Sequence, residues 1–262
     1  MDITSYLTEC VEKRIPVSFS KYGDGEYLCA SGNVGQNCDR DPYTDKLRIK
    51  LRESVTYMVD SAENAHLGLW SDNVIWFWKQ FVTKEIKWAK YHTMIFDEDL
   101  HDKAQSMYAK LKLYKAIKNS SMKKIMICNP LMIKAKILLN IDVMIHVPLC
   151  GWFDSQIDTI ISSVKSNATD EPFIMLTSCG MGAKVLIYEI RKLFPQGIFL
   201  DVGCALDQIC TKKNSRGKQN FYEILLAEFK NEGIIPNNWD DPIYDDVYKN
   251  ASTSLGVHLP YF

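Results

Sequence analysis

The run Ser18-Phe19-Ser20-Lys21-Tyr22-Gly23-Asp24-Gly25-Glu26 closes a short β-prone segment and carries the most suggestive chemistry in the chain. Its two glycines permit a tight, open backbone, and Asp24 and Glu26 straddle one of them at a spacing that can aim both carboxylates at one point. Hard oxygen ligands suit Mg²⁺ or Mn²⁺, ions that keep several waters and bridge to substrate phosphates. The combination suggests a nucleotide-diphosphate site. The plainer reading is a turn with a helix start, Asp24 capping the helix that includes Tyr27 to Ala30 and Glu26 favouring its positive end.

Further candidates follow later apolar runs. Thr177-Ser178-Cys179-Gly180-Met181-Gly182-Ala183-Lys184 places glycines at a strand-to-helix turn, where backbone amides and the helix dipole can receive a phosphate. It is neither a Walker A loop, since Val185 follows Lys184, nor a full dinucleotide fingerprint, since Val185 stands at the third glycine position. Tight helix–strand packing explains the glycines equally well. Leu200-Asp201-Val202-Gly203-Cys204-Ala205-Leu206-Asp207 offers Asp207 as a carboxylate able to take a hydroxyl proton, or as a helix cap. The same segment invites an adenosylmethionine reading through Asp201 and Gly203, although such a loop normally follows the first strand of its fold. In Val147-Pro148-Leu149-Cys150-Gly151-Trp152-Phe153-Asp154, Trp152 can stack on a ring or fill the core, and Asp154 can bind hydroxyls or cap a helix. Asn129-Pro130 also ends a strand. Histidines 66, 92, 101, 146 and 258 form no HxxxH or HxH pair, so no zinc site is assigned.

The elements that must position these residues alternate. Strands are expected at Ile15 to Ser20, Ala65 to Trp70, Tyr91 to Phe96, Lys124 to Cys128, Val143 to Val147, Phe173 to Thr177 and Ile198 to Val202. Helices are expected at Thr44 to Asp60, Asn73 to Trp88, Leu100 to Lys118, Leu131 to Leu139, Phe153 to Ser166 and Ala183 to Leu193. Such alternation implies an α/β fold, Rossmann-like, with a mostly parallel sheet and helices on both faces. Ligands of such sheets bind beyond the carboxyl ends of the strands.

With 262 residues, 47% hydrophobic and 24% charged, the chain is globular in composition, which excludes a disordered or collagen-like polymer. The formal charge of -1 supplies no global field for nucleic acid or an anionic membrane. No linker, repeat or charge block divides the chain, so one domain over 1–262 is expected, with 233–262 wrapping its surface. The Trp-rich helix around Trp76, Trp78 and Trp88 is expected to pack its aromatics into the core or to offer its exposed side to a second copy, a ligand platform being the less simple alternative. Cysteines 10, 29, 38, 128, 150, 179, 204 and 210 contain no CxxC pair, and no signal peptide or membrane-spanning run is evident; the reading is cytoplasmic, with most thiols buried and reduced. The Asn-x-Ser/Thr triplets at Asn119, Asn167 and Asn250 then carry no glycosylation.

Taken in order, these loops resemble glycosyltransferases of the GT-D fold, whose members carry an Arg/Lys-Tyr/Phe-Gly-Asp-Gly-Glu signature after the first strand; Lys21 to Glu26 is similar to it. The Asn-Pro, the Val-Pro…Trp-x-Asp segment, the Ser/Gly-rich turn followed by Ala-Lys-Val-Leu, and Asp-x-Gly…Asp add to the resemblance over about Ile15 to Arg216. It implies a nucleotide-sugar donor, first of all a UDP-sugar, a glycan or glycoprotein hydroxyl as acceptor, and Mn²⁺ or Mg²⁺ held by Asp24 and Glu26. Carried over by position, Lys21, Tyr22, Gly23, Gly25, Asn129, Ser178, Gly180, Met181 and Gly182 fall on the donor side, and Trp152, Asp154 and Arg216 on the substrate side. Asp207 is the base of an inverting displacement on this reading. Family members often have Gly-Pro-Thr where Gly180-Met181-Gly182 stands, and Ser or His at Cys204, which leaves donor and base open. A methyltransferase and a silent sugar-binding module are the alternatives. The transfer reading requires the Asp24 and Glu26 carboxylates to face one opening.

Overall fold

A computed structural model of the chain describes residues 2–90, 104–213 and 221–240. The chain begins with α1 (Ile3–Lys13), which the apolar pattern had not singled out; Asp2 caps it by accepting a hydrogen bond from Ser5 N. Then come β1 (Val17–Tyr22), α2 (Asp24–Ser31), α3 (Asp45–Asp60), β2 (Ala65–Leu69), the short α4 (Ile75–Trp78) and β3 (Trp88–Lys90). The second half supplies α5 (Ala104–Asn119), β4 (Lys123–Cys128), α6 (Ala135–Leu138), β5 (Val143–His146), α7 (Phe153–Asn167), β6 (Phe173–Ser178), α8 (Gly182–Leu193), β7 (Ile198–Asp201), α9 (Asp207–Thr211) and α10 (Tyr222–Asn231).

The seven strands form one sheet in the order β3-β2-β1-β7-β6-β4-β5, every pair parallel. Central strands are covered on both faces, which is why β6 (FIMLTS) is an almost continuous apolar run rather than an alternating one. Side chains of successive residues divide between two cores. Val17, Phe19, Ile174, Leu176, Ile198 and Leu200 join the core built with α1, α5, α6, α9 and α10. Tyr22, Phe173, Met175 and Phe199 join the opposite core, built with α2, α3, α7 and α8.

That division fixes where a ligand can enter. After β1 the chain turns onto the second face as α2, whereas after the adjacent β7 it turns onto the first face as α9. Connections that part in this way leave a crevice beyond the carboxyl ends of the strands, with loops and helix N-termini around it.

Several expectations shift. The Asn73 to Trp88 pattern is not one helix: a 3₁₀ turn (Asp72–Val74), α4, a second 3₁₀ turn (Lys79–Phe81) and then β3 replace it. Aromatic anchoring drives the break, because Trp78 is fully buried against Tyr22 and Phe77 while Trp76 and Trp88 stay exposed. Leu131 to Leu139 divides likewise into a 3₁₀ turn (Pro130–Met132) and α6. Tyr91 to Phe96 lies outside the described residues. Of the segment expected to wrap the surface, 241–262 lies outside the described residues; at its start Ile234, Ile235 and Trp239 are buried, and the Trp239 indole donates to Ile209 O at 3.2 Å. Five of the eight thiols, Cys10, Cys29, Cys128, Cys179 and Cys210, are buried, and none of the eight is joined in a disulfide. No helix among the described residues is long and apolar enough to cross a membrane.

Candidate functional site

The turn after β1 is capped by glutamate, not by aspartate. Glu26 reaches back so that Gly23 N donates to its Oε2 at 2.8 Å, satisfying an amide that the helix leaves open. Asp24, the first residue of α2, points to solvent, while Glu26 is buried. The other carboxylate oxygen, Oε1, lies 2.7 Å from the Lys184 ammonium in the first turn of α8. Lys184 Nζ also lies 3.1 Å from Asp201 Oδ2 and donates to Gly180 O at 3.2 Å. Asp201 Oδ2 accepts a further hydrogen bond from Lys21 N at 3.0 Å, and Lys21 Nζ donates to Val202 O at 3.0 Å. Gly203 is forced by this last contact, since its φ is +52° and a Cβ there would stand 2.2 Å from Lys21 Nζ.

Two buried carboxylates and two buried ammonium groups therefore share the carboxyl ends of β1 and β7, with formal charges that cancel. Buried charge persists when paired in this way, because an unpartnered ion out of water is expensive. The same edge holds three buried oxygens without a hydrogen-bond partner among the described residues, Ser20 Oγ, Thr177 Oγ1 and Asp201 Oδ1, with Thr177 directly opposite Asp201 in the β6–β7 pairing.

The glycine turn after β6 rests on a carboxylate that no sequence motif marked. Asp41 Oδ1 accepts from Gly151 N at 2.9 Å, and Met181 N also bonds to this side chain. Burial holds the Asp41 carboxyl above the usual aspartate range, opposed by those two amides. Gly180, with φ +70°, lies so close that a Cβ would stand 2.2 Å from Asp41 Oδ2. Ser178 Oγ donates to Gly203 O at 2.7 Å and so ties this turn to the loop after β7. Gly25 packs against Asn37 and Met181, joining the α2 start to the same assembly.

Several residues expected at the site are spent elsewhere. Trp152 is buried, donates its indole N–H to Cys179 O at 3.2 Å and lies against Gly182; it is the floor of the turn rather than an open stacking surface. Tyr22 is likewise core, its hydroxyl 2.9 Å from Ser54 Oγ. Asn129 caps the 3₁₀ turn after β4 by accepting from Leu131 N at 2.9 Å. Asp154 is exposed and accepts from Thr44 Oγ1 at 2.9 Å, linking the starts of α7 and α3. Between them lies a small pocket bordered by Asp41, Thr44, Trp152, Asp154 and Gly182, with about 30 Å³ of room, enough for water but not for a sugar. Asp207 is half-buried at the start of α9, after Leu206 rather than as the cap itself. Arg216 lies outside the described residues.

A divalent cation between Asp24 and Glu26 does not fit this arrangement. Both Glu26 oxygens are held by donors of the chain itself, one of them an ammonium, and among the described residues no group of three or more His, Cys, Asp or Glu side chains converges on a metal position. Asp24 alone presents an open carboxylate.

No protein-family model matches the chain, and no curated protein matches it. Solved structures do. A glycosyltransferase (domain of unknown function 1792) from Streptococcus sanguinis superposes with a TM-score of 0.58 and 17% identity, covering 84% of this chain and 89% of that one. A domain of unknown function 1792, described as having a distinct glycosyltransferase fold, superposes with a TM-score of 0.52 and 17% identity over 76% of this chain and 80% of its own. At that identity the likeness establishes the fold, and the fold is the α/β, glycosyltransferase type expected from the order of the loops.

Proposed function

We propose that the chain transfers a sugar from a nucleotide-sugar donor, a UDP-sugar in the first instance, to a hydroxyl of a glycan or glycoprotein. The observation that carries the reading is the parting of the connections after β1 and β7 beside a buried four-charge cluster, in a fold shared with a solved glycosyltransferase. In the transfer an acceptor oxygen attacks the anomeric carbon, the bond from that carbon to the diphosphate oxygen breaks, and its electron pair leaves on the nucleoside diphosphate. The starts of α2 and α8 lie at that edge with their positive dipole ends, suited to the charge that develops on the leaving group. The acceptor proton goes to a carboxylate, for which Asp207 is the candidate, and a single base suffices for inversion. No step is assigned to a metal ion, because the carboxylates are not arranged to hold one.

The adenosylmethionine reading is disfavoured by Asp201, whose Oδ2 is engaged by Lys21 N and Lys184 and whose side chain is buried instead of facing a ribose. Thermal-shift measurements against a panel of nucleotide-sugars, with and without Mn²⁺, test the proposal, since a ligand at a hundred times its Kd adds about 2.7 kcal/mol to the native state. Stabilisation by nucleotide-sugars, accompanied by slow hydrolysis of the donor, supports transfer. Stabilisation without any turnover points to a binding module, and stabilisation by adenosylmethionine alone refutes the reading.

A further inference from the structure

The expected metal pair and the observed ion pairs disagree, and the disagreement is informative. Glu26 is one of the two carboxylates expected to hold a cation, and a cation is what it holds: the Lys184 ammonium at 2.7 Å. The same ammonium lies 3.1 Å from Asp201 Oδ2, so one positive group spans the carboxyl ends of β1 and β7 from the first turn of α8. Of the other charged groups beside the cluster, Lys21 is turned towards Val202 O, and the Asp41 carboxylate is held under the glycine turn by Gly151 N and Met181 N. A divalent ion needs open oxygens; here both Glu26 oxygens are occupied, one of them by an ammonium.

We propose that Lys184 is the resident cation of this site and that a nucleoside diphosphate binds the crevice without a divalent metal. The inference rests on the transfer reading. In it the ammonium, carried by the third residue of α8 behind the turn of Gly180 and Gly182, takes the place of a metal ion as the positive partner of Glu26 and Asp201 at the edge where the phosphates are received. Glu26 and Asp201 orient that ammonium.

The test is calorimetric titration of UDP, and separately GDP, into the full-length chain, in chelator and in Mn²⁺. Affinities that agree within about twofold in the two buffers support the proposal. Affinity that rises further on adding Mn²⁺ overturns it while leaving sugar transfer standing; binding of neither nucleotide in either buffer overturns both. A second arm uses Lys184→Met and Lys184→Arg, with circular dichroism to verify folding. About a tenfold loss of nucleotide affinity in Lys184→Met, recovered in part by Lys184→Arg, supports the role, together with a new Mn²⁺ affinity in the Met variant where the carboxylates have lost their partner. Unchanged nucleotide affinity in a folded Lys184→Met variant overturns it. Should Lys184→Met not fold, the wild-type comparison of chelator with Mn²⁺ decides alone.

Discussion

Replacing Gly180 by alanine tests whether Asp41 braces the turn that opens α8. Gly180 has φ +70°, a conformation that costs an L-residue about 1–2 kcal/mol. Its new Cβ would also stand 2.2 Å from Asp41 Oδ2, so the carboxylate must move and loosen the bonds it receives from Gly151 N and Met181 N. A hydrogen bond to a charged group is worth about 1.5–3 kcal/mol, and the combined loss comes to about 3–5 kcal/mol. In an Asp41→Ala background the obstructing carboxylate is gone, leaving only the backbone term of about 1–2 kcal/mol. The two substitutions should therefore couple by about 2 kcal/mol or more, measured as urea midpoints at constant m in a double-mutant cycle. Strict additivity, or a Gly180→Ala loss below about 1 kcal/mol, would show that Asp41 does not hold the turn.

Other consequences follow from the same contacts. Asp24→Ala should leave stability within about 1 kcal/mol, the worth of an exposed acidic side chain at a helix start, while lowering transfer activity. Glu26→Ala, by contrast, removes the cap on Gly23 N and one partner of a buried ammonium, and should cost about 3–5 kcal/mol in denaturant titrations; equal stability of the two variants would contradict the placement. Trp152→Ala should cost about 3–5 kcal/mol, since it empties the space beside Gly182 and orphans Cys179 O, and a loss confined to ligand affinity would return Trp152 to the binding surface. Burial depresses the His66 and His146 pKa values below the ordinary 6.5. Both rings are thus neutral in the fold and take up protons more readily when unfolded, so stability should fall as pH drops through 6.5 towards their lowered values. Denaturant midpoints between neutral and mildly acidic pH should show that loss in the parent and less of it in a His66→Gln, His146→Gln chain; identical profiles would assign it to other groups.

The alternation of short apolar runs with amphipathic ones was enough to place six of the seven strands within a few residues, because a strand buried on both faces must be apolar wherever it lies in the chain. The glycine turns after β1, β6 and β7 were legible for a similar reason: local backbone conformation demands local residue types. Trp88 was not, since three residues on a sheet edge leave no period to detect and their pairing with β2 is made across space. The helix expected through Trp78 failed because the burial of that indole against Tyr22 outweighed the local spacing. The direction of Glu26 was only partly legible: its spacing from Gly23 permits the cap it makes at the helix start, but its ion pair with Lys184 of α8, on a distant part of the chain, is made across space. Asp41 went unnoticed on the same grounds, as its partners Gly151 and Met181 come from two other loops. Residue order fixes periods, turns and the inventory of charges; which charges meet is settled by the packing of helices across the sheet, where pairing energy depends on distance and burial.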